Sequence, residues 1–184
     1  MGKLFVKFSS SIVKQKHFVY TLLLFVVCFL YSSVAVAKRY SFEIDAQREV
    51  YLTRSAKPGF KMVKVIVYGR SVDKAIEKAM MDAVVALTFY GASGEGEMGN
   101  TPAILLEGRK AYDHKTKYFD KFFKKGAFMS FVKRVNRDYP TGKDNVKTSR
   151  GRRIQILLLV NWNGLAKTYK DAGLKTIVGG LSDY

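Results

Sequence analysis

Apolar positions along this chain fall into one long uninterrupted run and then a series of short amphipathic segments. Residues 18–31 are apolar apart from Thr21. Further on, residues 61–69 alternate: Met62, Lys64, Ile66 and Tyr68 face one way, Lys61, Val63, Val65 and Val67 the other. Period two predicts a β-strand, ended by Gly69. A helix is predicted over residues 71–90, capped by Ser71 or Asp73. Ala75, Ala79, Ala83 and Ala86 recur along it, with Ile76, Met80, Val84 and Leu87 beside them. A face of such small side chains lets a helix lie close to a sheet, and Gly91 stands where a C-terminal cap belongs.

Weaker patterns flank this pair. Tyr40, Phe42 and Ile44 alternate and Val50, Tyr51 and Leu52 are apolar, which predicts an early strand or hairpin over 40–52. Lys57-Pro58-Gly59 is a turn signal. Residues 91–102 read as a glycine-rich flexible loop and 103–106 as a short strand. Residues 109–125 read as a second helix with Tyr112, Phe119, Phe122 and Phe123 as its apolar members, and 127–135 as a strand or a helix. The polar, basic stretch 136–151 reads as a long exposed hairpin loop. Residues 152–162 contain the apolar run 156–160 and read as a central strand. A short helix over 163–172 follows, capped by Asn161 or Asn163 and ended by Gly173. The tail carries Gly179 and Gly180 and reads as loose. This order predicts one α+β domain, a mainly antiparallel sheet with helices packed on one face.

The long apolar run takes its meaning from its flanks. Lys3, Lys7, Lys14 and Lys16 precede it, Ala35-Val36-Ala37 follow, and charge resumes at Lys38 and Arg39. This is the plan of a secretory signal peptide over residues 1–37, with cleavage after Ala37 and residues 38–184 as the exported domain. The rival is an uncleaved anchor: as a helix, residues 18–37 would span about 30 Å, leaving the basic end cytoplasmic. That rival describes an inner-membrane-anchored accessory protein. Cys28, the one cysteine, follows Val27 and precedes Phe29, Leu30 and Tyr31, a poor lipoprotein context. Residues 38–184 therefore have no thiol, in keeping with export to an oxidising compartment. The expected location is the periplasm or the outer membrane.

Charge narrows the class of partner. The formal net charge is +17, and the four leader lysines leave +13 on the remainder, from 28 basic and 15 acidic residues. Such an excess attracts anions at long range: lipid headgroups, acidic glycans, lipopolysaccharide or nucleic acid. Lys143, Lys147, Arg150, Arg152 and Arg153 cluster around the predicted hairpin and form the candidate anion- or partner-binding surface. Lys115, Lys117, Lys121, Lys124 and Lys125 line the second helix, and Lys133, Arg134 and Arg137 follow. Tyr118, Phe119, Phe122 and Phe123 interleave with these lysines, a mixture that can bind single-stranded nucleic acid. At helical spacing the rings read as core, and export argues against nucleic acid.

No active site is legible. His114, beside Asp113, reads as a surface or packing histidine, since nothing in the sequence gives it an orienting partner and a nucleophile. Residues 38–184 hold one histidine and no cysteine, which supports zinc poorly. The glycine loop follows a helix where a phosphate loop precedes one, and it carries Glu95 and Glu97, which would repel phosphate. Those two carboxylates could at most touch calcium weakly. No pair of acids stands out for glycoside hydrolysis. Neither metal nor cofactor is expected. The reading is a non-enzymatic binding or assembly protein, with a periplasmic hydrolase acting on glycan or lipid as the alternative.

A resemblance points the same way. Val65-Ile66-Val67-Tyr68-Gly69-Arg70-Ser71, running into Ala75, Ala79, Asp82-Ala83-Val84 and Gly91, resembles uncharacterised exported proteins of Bacteroidota. More distantly it is similar to envelope-assembly domains of the flagellar outer-membrane ring and TolB N-terminal type. Phe119-Asp120-Lys121-Phe122-Phe123 with Gly126 and Phe131-Val132 also fits the first group. So does the run from Leu159 to Leu165, with Tyr169 and Ala172-Gly173 after it. The resemblance covers about residues 61–174. It implies an α+β fold, a periplasmic or outer-membrane setting and envelope proteins or an anionic envelope surface as partners; it brings no catalytic residues.

Overall fold

In the computed structural model, residues 38–177 are described, apart from Arg137 and Arg150. The segment expected to be a leader, residues 1–37, and the tail with Gly179 and Gly180 lie outside the described residues. Strand β1 (Glu49–Ser55) and strand β2 (Phe60–Gly69) form an antiparallel pair, joined through the turn at Lys57-Pro58-Gly59. Helix α1 (Val72–Phe89) follows, then a two-residue strand β3 (Ser93–Gly94), helices α2 (Lys110–His114) and α3 (Thr116–Lys124), strands β4 (Val132–Arg134), β5 (Asn145–Thr148) and β6 (Gly151–Asn161), and helix α4 (Trp162–Asp171). The sheet order is β3-β1-β2-β6-β4, with β5 also on β6. β3 runs parallel to β1; the other ladders are antiparallel.

The alternation in β2 and β6 sorts the sheet into a covered and an open face. Val63 lies between Leu52 and Leu158, and Val65 between Val50 and Ile156. All of these are buried, as are Val67, Ile154 and Val160. Helix α1 covers them. Ser71 starts it, its hydroxyl accepting a hydrogen bond from the Lys74 N–H. Its small residues bring it close: a side chain at Gly69 would meet the Ala75 Cβ at 2.8 Å.

The far side of α1 is also enclosed, so residues 83–89 are all buried. There the packing is aromatic. Phe89 meets Phe119 with ring centroids 4.9 Å apart, Phe119 meets Tyr169 at 5.8 Å, and Phe42 stacks on Phe123 at 4.5 Å. The core thus has two storeys, aliphatic between sheet and α1, aromatic between α1 and the segments beyond it. The domain is α+β with its helices on one face of a mainly antiparallel sheet.

One charged group sits in the middle of this. Asp82 on α1 is buried, and Arg48 meets it with Nε 3.2 Å from Oδ1; their side chains are 6% and 5% exposed. Lys78 pairs with the other carboxylate oxygen. The Arg48 guanidinium also donates to the carbonyls of Ile44 (2.6 Å), Ala46 (2.7 Å) and Glu43. This explains why the early strand begins only at Glu49. Tyr40, Phe42 and Ile44 alternate like a strand, but the carbonyls of Glu43, Ile44 and Ala46 accept from Arg48, and the Tyr40 and Phe42 rings enter the aromatic storey against Phe128 and Phe123.

Other segments differ from expectation for similar long-range reasons. Residues 103–106 form no strand; the Ile104 and Leu105 amides instead donate to the Leu87 and Thr88 carbonyls near the end of α1. The predicted helix over 109–125 breaks at Lys115, whose ammonium donates to the Ala172 carbonyl at 2.6 Å. Residues 127–131 make a 3₁₀ turn leading into β4. The stretch 136–151 is structured: it holds a second 3₁₀ turn (Gly142–Asp144) and β5. Helix α4 begins where expected, its cap Asn161 Oδ1 accepting from the Gly164 N–H.

Two outcomes follow from these buried polar groups. Arg48→Met leaves Asp82 buried with Lys78 alone and frees three carbonyls. It should lower stability by about 3 kcal/mol in urea unfolding, in line with breaking one side of a buried pair. The Tyr169 hydroxyl shares a 2.9 Å hydrogen bond with Thr88, and full burial pushes its phenol well above the ordinary value. The unfolded chain releases that proton near pH 10 while the folded one keeps it. Stability is therefore intact below about pH 10 and falls as pH rises beyond it. Tyr169→Phe should lessen that alkaline slope and cost about 1–3 kcal/mol at neutral pH by orphaning Thr88.

Candidate anion-binding surface

Hairpin β5–β6 turns between Thr148 and Gly151. Gly151 has φ +114°, and a side chain there would approach the Gly69 carbonyl oxygen to 2.6 Å. The hairpin end is therefore pressed against the end of β2. Register then fixes which side chains share a face. Val146, Arg153 and Tyr68 form one row across β5, β6 and β2 on the open face. Lys147, Arg152 and Gly69 form the next row, directed to the opposite face.

Of the five cations expected to make one surface, Lys147, Arg152 and Arg153 meet at this corner. They are split between two faces because adjacent residues of a strand point opposite ways. Lys143 lies exposed on the 3₁₀ turn ahead of β5. Arg150 lies outside the described residues. Arg70, which the sequence reading left out, is exposed immediately after Gly69 and joins the corner. Only the β2–β6 register, which sets Gly69 opposite Arg152, places it there.

The corner is electrostatically unbalanced. Among the described residues, Arg70, Lys143, Lys147 and Arg153 have no carboxylate partner. Arg152 donates to the Asn145 side-chain oxygen at 2.9 Å. Two carboxylates nearby, Asp73 and Asp144, are held by neutral donors, the Tyr139 hydroxyl at 2.7 Å and Gln155 at 3.2 Å, and offset the cations only in part. The basic helix is different. Lys124 pairs with Asp120 at 2.6 Å and Lys115 serves the Ala172 carbonyl, while Phe119, Phe122 and Phe123 are buried in the aromatic storey.

Away from the corner the open face is mixed. Lys64 pairs with Glu95, which folds over from the glycine loop. A trough of about 520 Å³ runs there between Thr53, Lys64, Gln155 and Leu157 and the loop bearing Asp138 and Tyr139. A cleft of about 590 Å³ lies elsewhere, lined by Asp45, Arg48, Tyr90, Asn100 and Thr101 among others. Arg109 grips Asp45 at its mouth with Nε 2.9 Å from Oδ1 and holds that carboxyl below its usual range. His114 is exposed and bonds Glu107 at 3.1 Å beside a hollow of about 140 Å³. Among the described residues, no three potential metal ligands converge.

No protein-family model matches this chain, and neither does any curated protein or solved structure.

The corner depends on Gly151 having no side chain. Gly151→Ala should cost about 2 kcal/mol from the left-handed backbone and the clash with Gly69. Amide hydrogen exchange should localise the loss to the hairpin, with β5 amides exchanging faster and α1 amides least affected.

Proposed function

We propose that this chain is an exported, non-enzymatic binding domain of the cell envelope. The corner where hairpin β5–β6 meets the end of β2 holds an anionic envelope surface or an acidic partner. The observation that supports this reading is the gathering of Arg70, Lys147, Arg152 and Arg153, with Lys143 nearby, at one end of one sheet, none of them ion-paired to a carboxylate among the described residues. Cations left unpaired on a rigid scaffold attract an anionic surface before contact, and salt screens that attraction. The basic, apolar and small-residue zones of residues 1–37 support export. Among the described residues no helix is long and apolar enough to cross a membrane. A hydrolase would need His114 or paired carboxylates facing a substrate cleft. His114 instead bonds Glu107 outside the lining of the 590 Å³ cleft, and of the carboxylates that line the 520 Å³ trough Glu95 is paired with Lys64 and Asp144 is held by Gln155, which favours binding over hydrolysis.

The test replaces three cations that support no other side chain. Arg70→Ser/Lys147→Ser/Arg153→Ser should weaken binding to anionic vesicles and retention on heparin at low salt. At about 1 kcal/mol per cation near an anionic surface, the loss is roughly hundredfold. Wild type and variant should converge at high salt. Equal affinity of the two at low salt would refute the reading.

A further inference from the structure

We infer that the anionic surface is a lipid bilayer, and that Tyr68 and Val146 enter its headgroup layer on either side of Arg153. This inference rests on the anion-binding reading of the same corner and names its partner. The basic residues alone would serve any polyanion, so the choice is made by what lies between them. In the row Val146–Arg153–Tyr68, the central guanidinium is flanked by two of the five exposed large hydrophobic side chains among the described residues, Tyr68 at 46% and Val146 at 42%. Behind Tyr68 on the open face lies Ile66, itself only partly buried, with Gln155 beside it.

Three kinds of occupant would use this row differently. A hydrated glycan or another soluble polyanion would neutralise Arg153, Lys147 and Arg70 but leave Val146 in water. A single-stranded nucleic acid would want flat rings to stack on. The other rings on this side are engaged: the Lys64 ammonium lies 5.4 Å from the centre of the Tyr51 ring, and the Arg134 guanidinium 5.7 Å from the centre of Tyr139. A second copy of this chain, packed face to face, would bring Arg153 and Lys133 against a surface bearing the same cations, a like-charge contact. A bilayer with anionic headgroups satisfies both parts at once. The cations stay at phosphate level, the valine leaves water, and the tyrosine sits with its ring in the apolar boundary and its hydroxyl outward.

The experiment uses the exported form as its host cell processes it. Binding is measured to vesicles of equal parts phosphatidylglycerol and phosphatidylcholine, and separately to heparin. Tyr68→Ser/Val146→Ser should weaken vesicle binding about tenfold and leave heparin retention unchanged. The emission of Val146→Trp should be quenched by brominated acyl chains in the same vesicles. Unchanged vesicle binding by the serine variant, with the cation-replaced variant impaired on both supports, would overturn the bilayer assignment and leave the electrostatic reading standing. A loss in neither variant would remove both. A dimer that dissociates in the serine variant while vesicle binding persists would assign the row to a second copy and overturn the inference. Equal losses on vesicles and heparin would show that the two side chains merely support the corner, and would overturn it as well.

Discussion

The C-terminal half of α1 is enclosed on two sides and has no polar face to give to solvent, yet it carries a carboxylate. Asp82 lies within its buried half, with the sheet on one side and the aromatic storey on the other. Arg48 resolves this conflict. Its guanidinium neutralises Asp82 and takes the carbonyls of Glu43, Ile44 and Ala46, so the charge and the loose carbonyls are satisfied by one side chain. The segment ahead of β1 is thereby fastened to α1. Tyr40 and Phe42 then close the aromatic storey against Phe128 and Phe123. Without Arg48, neither the second side of α1 nor the start of β1 has a reason to be where it is.

Because this arrangement gathers the helices on one face of the sheet, the other face is left for loops and solvent. Its two long strands, β2 and β6, end together at the hairpin, and the contact between Gly151 and Gly69 locks their ends side by side. What the chain places at that end is cationic and apolar, and among the described residues its cations are not ion-paired. The chemistry of the corner is therefore a consequence of topology: β6 is long enough to receive β4 along one part and β5 along another, and the β5 turn lifts its basic residues clear of the core.

Much of this was legible in the residues. The alternation around Val63, Val65 and Val67 identified β2 and its covered face, and the alanines of α1 forecast its close approach to the sheet. Asn161 and Gly173 marked the ends of α4. What escaped was set by partners far away in the chain. Tyr40, Phe42 and Ile44 imitate a strand, and only Arg48 and Asp82 together, 34 positions apart, decide otherwise. The break at Lys115 answers to a carbonyl 57 positions on. The candidate surface was legible as a cluster of cations but not as a shape. Strand alternation separates Arg152 from Arg153, and the register that recruits Arg70 and sets Tyr68 beside Arg153 has no local signature.

The account stands on the claim that the hairpin corner, and not the lysine-rich helix α3, is the contact surface. Hydrogen exchange of the wild-type protein with and without anionic vesicles addresses that directly. The account predicts slowed exchange in β5, at the hairpin turn and around Arg70, with α3 unchanged. Slowed exchange confined to residues 115–125, with the hairpin unaffected, would contradict it.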